Sequence, residues 1–224
     1  MLDEIIDLVY PVSCIACGRA GGRGLCGHCL AGLASRCALW VTQSGDDCGG
    51  PATCFSGYRA AGEYSGLIRE MVLKLKSSAG YYAPPLARLM VASAGNDPGY
   101  ISCDYVCYVP STREKIAQRG YNPAKVLARR VARHLGRPIF DGLAKTRMTL
   151  EQDRLAGASR WENVAGAFGV TGERVPLGSV VLVDDVMTTG ATADACARAL
   201  LDSGADAVQV LVAARTVLNW CPAP

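Results

Sequence analysis

Residues Val180 to Thr192 read Val-Val-Leu-Val-Asp-Asp-Val-Met-Thr-Thr-Gly-Ala-Thr, and this stretch decides the fold. Four apolar residues run into two adjacent carboxylates, with Pro176 and Gly178 as turn signals upstream. A continuous apolar run of this length suits a strand covered on both faces, as in a parallel sheet. Ligands of such sheets sit beyond the carboxyl ends of the strands, where Asp184 and Asp185 fall. Ionised carboxylates only accept hydrogen bonds, so the vicinal hydroxyls of a sugar suit them. The small residues from Thr188 to Thr192 can curl their backbone N–H groups around an anion. A helix expected over Ala191 to Asp202, stopped by Gly204, aims its first N–H groups at the same place. A P-loop reading of the acidic strand end fails, because the chain holds no Gly-x-x-x-x-Gly-Lys-Ser/Thr loop.

The second informative pattern is Cys14-x2-Cys17 followed by Cys26-x2-Cys29. Paired spacings of this kind let four thiolates converge on one tetrahedral zinc ion, and four cysteines leave no open position for catalysis. The expectation is therefore structural Zn²⁺ held by Cys14, Cys17, Cys26 and Cys29. With little apolar sequence nearby, the metal is expected to supply most of the local folding energy, on the order of 10–16 kcal/mol in small peptides. Cys37, Cys48 and Cys54 follow without paired spacing, either as a second, incomplete metal site or as independent thiols. Cys103, Cys107 and Cys196 lie within apolar patterns and read as core residues. Gly22 to Gly27 matches G-x-G-x-x-G but follows no strand and contains a zinc ligand, so the match is accidental.

Between and around these motifs, strands and helices alternate. Phe55–Tyr64, Asp104–Val109 and Asp206–Ala213 read as strands. Helical spacing runs from Leu67 to Leu75, Leu86 to Ala94 and Ala124 to Leu135. Alternation of this kind implies a parallel sheet with right-handed crossovers. The one plausible boundary falls near Cys54, giving an N-terminal zinc-finger or hood module over residues 1–54 and an α/β domain over 55–224.

The 224 residues are half hydrophobic and carry a net charge of +3, too little to argue for nucleic acid alone. Basic residues gather between Arg113 and Arg137, as a solvated helix face or as a DNA surface. No run of 18 apolar residues exists, so no membrane insertion is expected. The N-terminus carries Asp3, Glu4 and Asp7 on a short amphipathic helix pattern and does not resemble a secretory signal. Eleven cysteines in such a chain suit metal ligands and buried thiols, and a cytoplasmic location is expected.

The Asp184–Thr192 segment closely resembles the phosphoribosyl-pyrophosphate (PRPP) motif of type I phosphoribosyltransferases. More narrowly, the chain resembles the ComF family, competence-associated phosphoribosyltransferase-like proteins with an N-terminal zinc finger. The cysteine knuckles, Leu75-Lys76, Arg119-Gly120-Tyr121-Asn122 and the run from Arg147-Met148-Thr149 to Phe168 carry that resemblance. It implies an α/β, type I phosphoribosyltransferase-like fold with a parallel sheet flanked by helices. It implies that Asp184 and Asp185 hold the ribose hydroxyls and stabilise the cation-like sugar, and that Thr188, Thr189, Gly190, Ala191 and Thr192 hold the 5′-phosphate. It places a pyrophosphate loop over Val109 to Arg113, with Ser111, Thr112 and Arg113, and a mobile closing loop over Ala144 to Asn163, with Arg147. Mg²⁺ would accompany PRPP. The resemblance leaves two functions open: transfer of phosphoribosyl to an acceptor, or an adaptor that binds PRPP or a nucleotide without turnover and contacts single-stranded DNA or DNA-uptake proteins through the helix bearing Arg129, Arg130 and Arg133.

Overall fold

A computed structural model describes residues 13–20, 24–37, 53–77, 79–147, 157–172 and 175–216. In chain order the elements are α1 (Gly27–Cys37), β1 (Gly57–Ala60), α2 (Gly66–Leu75), α3 (Ala79–Ala94), α4 (Pro98–Ile101), β2 (Tyr105–Tyr108), α5 (Arg113–Arg119) and α6 (Pro123–Leu135). They continue through β3 (Leu143–Lys145), α7 (Gly157–Val164), β4 (Phe168–Val170), β5 (Gly178–Met187), α8 (Ala191–Asp202) and β6 (Ala205–Arg215). The expected N-terminal helix, Cys48 and residues 148–156 of the expected closing loop lie outside the described residues.

The main sheet has the order β1-β6-β5-β2, and every pairing in it is parallel. β5 contains the apolar run Val180–Val183, and it shows why no polar residue interrupts that run. Val181 and Val183 face one core cluster with Leu211 and Ala213, while Val180 and Leu182 face a second with Val208, Val210 and Val212. All four β5 residues are fully buried. Successive side chains alternate sides of a strand, so a two-sided core demands an apolar residue at each position. Fully burying one such side chain contributes about 1.5–3 kcal/mol.

The first cluster is closed by α2, α3 and α6, and the second by α8 with the small antiparallel β3–β4 pair. α6 has defined ends: Asn122 accepts from the Ala124 N–H at its start, Pro123 is its first residue, and Gly136 closes it at φ 66°. Leu127, Ala128 and Val131 are buried, leaving the basic residues outside.

Three sequence expectations need correction. β5 does not stop at Val183. It runs through the acidic pair to Met187, because β6 is long enough to keep pairing, with Val186 opposite Ala214 and Met187 opposite Arg215. The expected Phe55–Tyr64 strand is cut to Gly57–Ala60, resuming only as a bridge between Glu63 and Arg215. The third helix starts at Ala79, not Leu86, and contains Pro84 and Pro85. Proline tends to break the interior of a helix, which is why the earlier turn was not legible. Helix Ala191–Asp202 has the bounds expected from its sequence.

The cysteine segment also differs from expectation in what supports it. Cys14, Leu25 and Leu30 are buried in the same cluster as α3, so the segment shares apolar core with the sheet domain as well as any metal. Gly24 makes the approach possible. Its φ is 75°, and a Cβ there would collide with the Tyr81 carbonyl. Pro85, four residues after Tyr81, has no N–H to donate to that carbonyl, so α3 is open where Gly24 packs.

Candidate functional site

A cavity of about 400 Å³ opens at the carboxyl ends of the strands, within the range of small-molecule sites. Asp184, Asp185 and the whole Thr188–Thr192 loop line it, with Ser111 from the connection after β2. The carboxyl of Asp184 accepts from the Asp185 N–H at 2.8 Å, and that of Asp185 from the Val186 N–H at 2.8 Å. Each side chain is thus oriented by the peptide that follows it. Burial, then the neighbouring Asp185 charge, hold the Asp184 carboxyl well above the ordinary carboxylate range. Two carboxyl groups this close repel when both are ionised, so the fully charged pair calls for a cationic partner.

Gly190 takes the left-handed conformation at φ 81° and caps α8 with no side-chain hydrogen bond. Thr189 is buried, and its Oγ1 accepts from the Ala191 N–H at 3.4 Å. The turn into α8 is thus built from small residues and main-chain groups, which suits an anion near the positive end of a helix dipole.

Not all the expected residues reach this pocket. Thr112 and Arg113 are absent from its lining. Thr112 instead caps α5, its Oγ1 accepting from the Lys115 N–H at 3.3 Å, and Arg113 is the first residue of that helix. Arg147 also lies away from the lining. Its guanidinium donates to the carbonyls of Asn163 at 3.1 Å and Ala165 at 2.8 Å, at the end of α7. It fastens the base of the expected closing loop, whose two ends are β3 and α7.

Among the described residues, the cations that do line the pocket are Lys76, Lys115 and Arg119. Lys115 and Arg119 are four residues apart on α5 and so share a helix face. That spacing, directly after the Pro110-Ser111-Thr112 strand end, was the available sequence signal. The Lys76 ammonium lies 3.3 Å from Asp185 Oδ2. The backbone beneath it is held from outside the pocket, because the Tyr121 hydroxyl donates to the Leu75 carbonyl at 2.6 Å. Asn122, beside Tyr121, donates to the Val109 carbonyl at 2.9 Å. The Leu75-Lys76 and Arg119–Asn122 motifs, distant in sequence, are thus one hydrogen-bonded frame around the pocket.

The four cysteines also come together. The sulfurs of Cys14, Cys17, Cys26 and Cys29 all lie within 4.8 Å of one another, with 3.8 Å between Cys17 and Cys26. Burial raises the Cys14 thiol, but N–H donors from Cys26, Cys17 and Ala16 outweigh it and bring the group down to about 6. The Cys26 and Cys17 side chains push Cys29 up to about 12. Four thiolates this close need a cation between them, and an all-sulfur tetrahedral donor set fits Zn²⁺. Among the described residues this is the one group of metal-ligand type found. Cys103, Cys107 and Cys196 are fully buried, as expected. Cys54 is half-buried and its N–H bonds to the buried Asp194 carboxyl. No helix among the described residues is long and apolar enough to cross a membrane.

Fold and site together define a parallel α/β protein with an acidic strand-end pocket and a four-cysteine cluster at its N-terminus. No protein-family model matches the chain, but homologues carry names. The DNA utilization protein YhgH of Escherichia coli (strain K12) is 28% identical over 232 residues, covering 94% of this chain and 100% of that protein. YhgH of Salmonella typhimurium is 33% identical over 142 residues, 60% of this chain and 61% of the relative. Competence protein F of Haemophilus influenzae is 35% identical over 101 residues, 44% of each chain. The resemblance to the ComF family is borne out by these relatives. Among solved structures, orotate phosphoribosyltransferase from Aeropyrum pernix is similar over 71% of this chain and 79% of that one, at 18% identity and a TM-score of 0.39, a likeness too loose to decide anything further.

Proposed function

We propose that the chain binds PRPP and transfers its phosphoribosyl group, with Mg²⁺, to an acceptor nitrogen. The observation that carries this is the continuous lining of one cavity by Asp184, Asp185 and Thr188–Thr192 at the end of β5. Asp184 and Asp185 accept from the ribose hydroxyls, and the charge-assisted bonds orient the sugar. As the bond to pyrophosphate lengthens, the ring gains positive character next to these carboxylates, which stabilise it without reorganisation. The Thr188–Thr192 turn holds the 5′-phosphate against the start of α8. Mg²⁺, when bound with PRPP, neutralises charge on the leaving pyrophosphate. Closure over the bound sugar, the role that the resemblance gives the segment beginning near Arg147, would limit attack by water. The cysteine segment, with Zn²⁺, serves as a hood that shapes the acceptor side.

A second reading is favoured by a separate observation. Arg88 on α3 and Arg130 and Arg133 on α6 sit close enough to His134 that, after burial, their charges lower its protonation. Phosphate backbones bind such cationic surfaces, and two relatives are named for DNA utilization and competence. In this reading the pocket is a PRPP or nucleotide sensor without turnover.

One experiment separates the two. Wild-type protein and the double variant Asp184→Asn, Asp185→Asn are titrated with PRPP and Mg²⁺, then assayed for pyrophosphate release across a panel of nucleobases and amines. Loss of PRPP binding in the double variant, with release by the wild type, is expected. Binding without release by any acceptor favours the sensor. Undiminished binding in the double variant rejects the pocket assignment.

A further inference from the structure

We infer that Lys76 is the specificity lysine of this pocket, an exchangeable cation that neutralises Asp185 and transfers to the pyrophosphate of an incoming sugar. This rests on the PRPP reading and names the residue that distinguishes PRPP from sugar phosphates lacking pyrophosphate.

The geometry sets up a competition. The Lys76 ammonium stands 3.3 Å from Asp185 Oδ2, the type of oxygen that a ribose hydroxyl must reach. The two side chains are 29% and 18% exposed, so the pair is largely withdrawn from water. A sugar that takes Asp185 displaces the ammonium, and a partly desolvated ammonium without a counter-charge is costly. Ribose 5-phosphate offers it nothing in return, since its only phosphate is directed to the Thr188–Thr192 turn. PRPP brings a second anionic group to the same cavity. Lysine suits such an exchange, being a compact charge on a flexible four-carbon stem. The backbone beneath it stays fixed. Lys76 caps α2 with its N–H on the Leu73 carbonyl, the next N–H, of Ser77, bonds the Lys74 carbonyl, and Tyr121 holds the Leu75 carbonyl. The side chain can therefore swing without moving the wall. Lys115 and Arg119 line the same cavity and complete the cationic surface for pyrophosphate. Arg113 and Arg147, the cations favoured by sequence, do not line it.

The test is calorimetric titration of Mg²⁺–PRPP and of ribose 5-phosphate into the wild type, Lys76→Met and Lys76→Arg, with melting curves to verify folding. Wild-type protein is expected to prefer PRPP. Lys76→Met weakens PRPP binding about tenfold or more, the value of a lost charged hydrogen bond. It leaves ribose 5-phosphate binding equal or tighter, because Asp185 is released, and Lys76→Arg restores part of the preference. Equal weakening of both compounds, or an intact preference in Lys76→Met, overturns the proposal. Should Lys76→Met not fold, Lys76→Gln is read by the same criteria. Wild-type protein that binds neither compound removes the PRPP reading itself, and the lysine's role with it. Wild-type binding of PRPP with an unchanged Lys76→Met variant removes the lysine's role alone.

Discussion

The cysteine cluster and the strand-end pocket both crowd like charges into a small space, and they resolve the crowding differently. Four sulfurs within 4.8 Å form a closed set, suited to a permanent dication. Two adjacent carboxylates at the end of β5 are instead balanced by one lysine on a flexible stem. A closed donor set turns ion binding into folding energy. An open set with a displaceable partner keeps its charge available for a ligand. On the proposed function, one region spends its electrostatics on structure and the other keeps them for recognition.

The largest expected effect comes from stripping metal from the closed set. Chelation should release about one equivalent of zinc and lower the melting temperature more than any single substitution, since structural zinc contributes on the order of 10 kcal/mol in small peptides. Calorimetry with metal analysis checks this. Zinc loss without thermal change would erase the contrast between the two regions. A smaller effect is expected from Gly24→Ala, which forces a Cβ against the Tyr81 carbonyl at a φ of 75°. Strain of this kind costs about 1–3 kcal/mol, visible as a lower denaturation midpoint with PRPP affinity retained. The smallest effect has the opposite sign. Because the Asp184 carboxyl is held above its ordinary value of 3.8, the folded chain keeps its proton after the unfolded chain has lost it. Stability from this group is therefore greatest below its unfolded value and declines as pH rises toward the folded one. Asp184→Asn should flatten that decline and melt higher than wild type at pH 8 while losing PRPP affinity. A lower melting temperature at pH 8 would show that the carboxylate stabilises the fold instead of waiting for a ligand.

Parts of this molecule were legible from local pattern alone. The β5 run, the helix from Ala191 to Asp202 and the paired cysteine spacings each depend on residues close in sequence, and the structure assembles them as expected. α5, β3, β4 and α7 were not legible. They are short, and β3 and β4 form only by pairing with each other across a long connection. The extension of β5 past Val183 was equally hidden, because it depends on the length of its neighbour β6.

The same division runs through the pocket. The sequence by itself determined the Thr188–Thr192 turn, the acidic pair and the four-cysteine cluster, because each is a contiguous or closely spaced chemical pattern whose geometry follows from the backbone. Only the tertiary structure decided which cations meet those acids. Lys76, Lys115 and Arg119 come from two helices that are brought to the strand ends by packing and by the Tyr121 and Asn122 hydrogen bonds. Charges act through space over a few ångströms, and proximity between residues dozens of positions apart is set by how the layers pack.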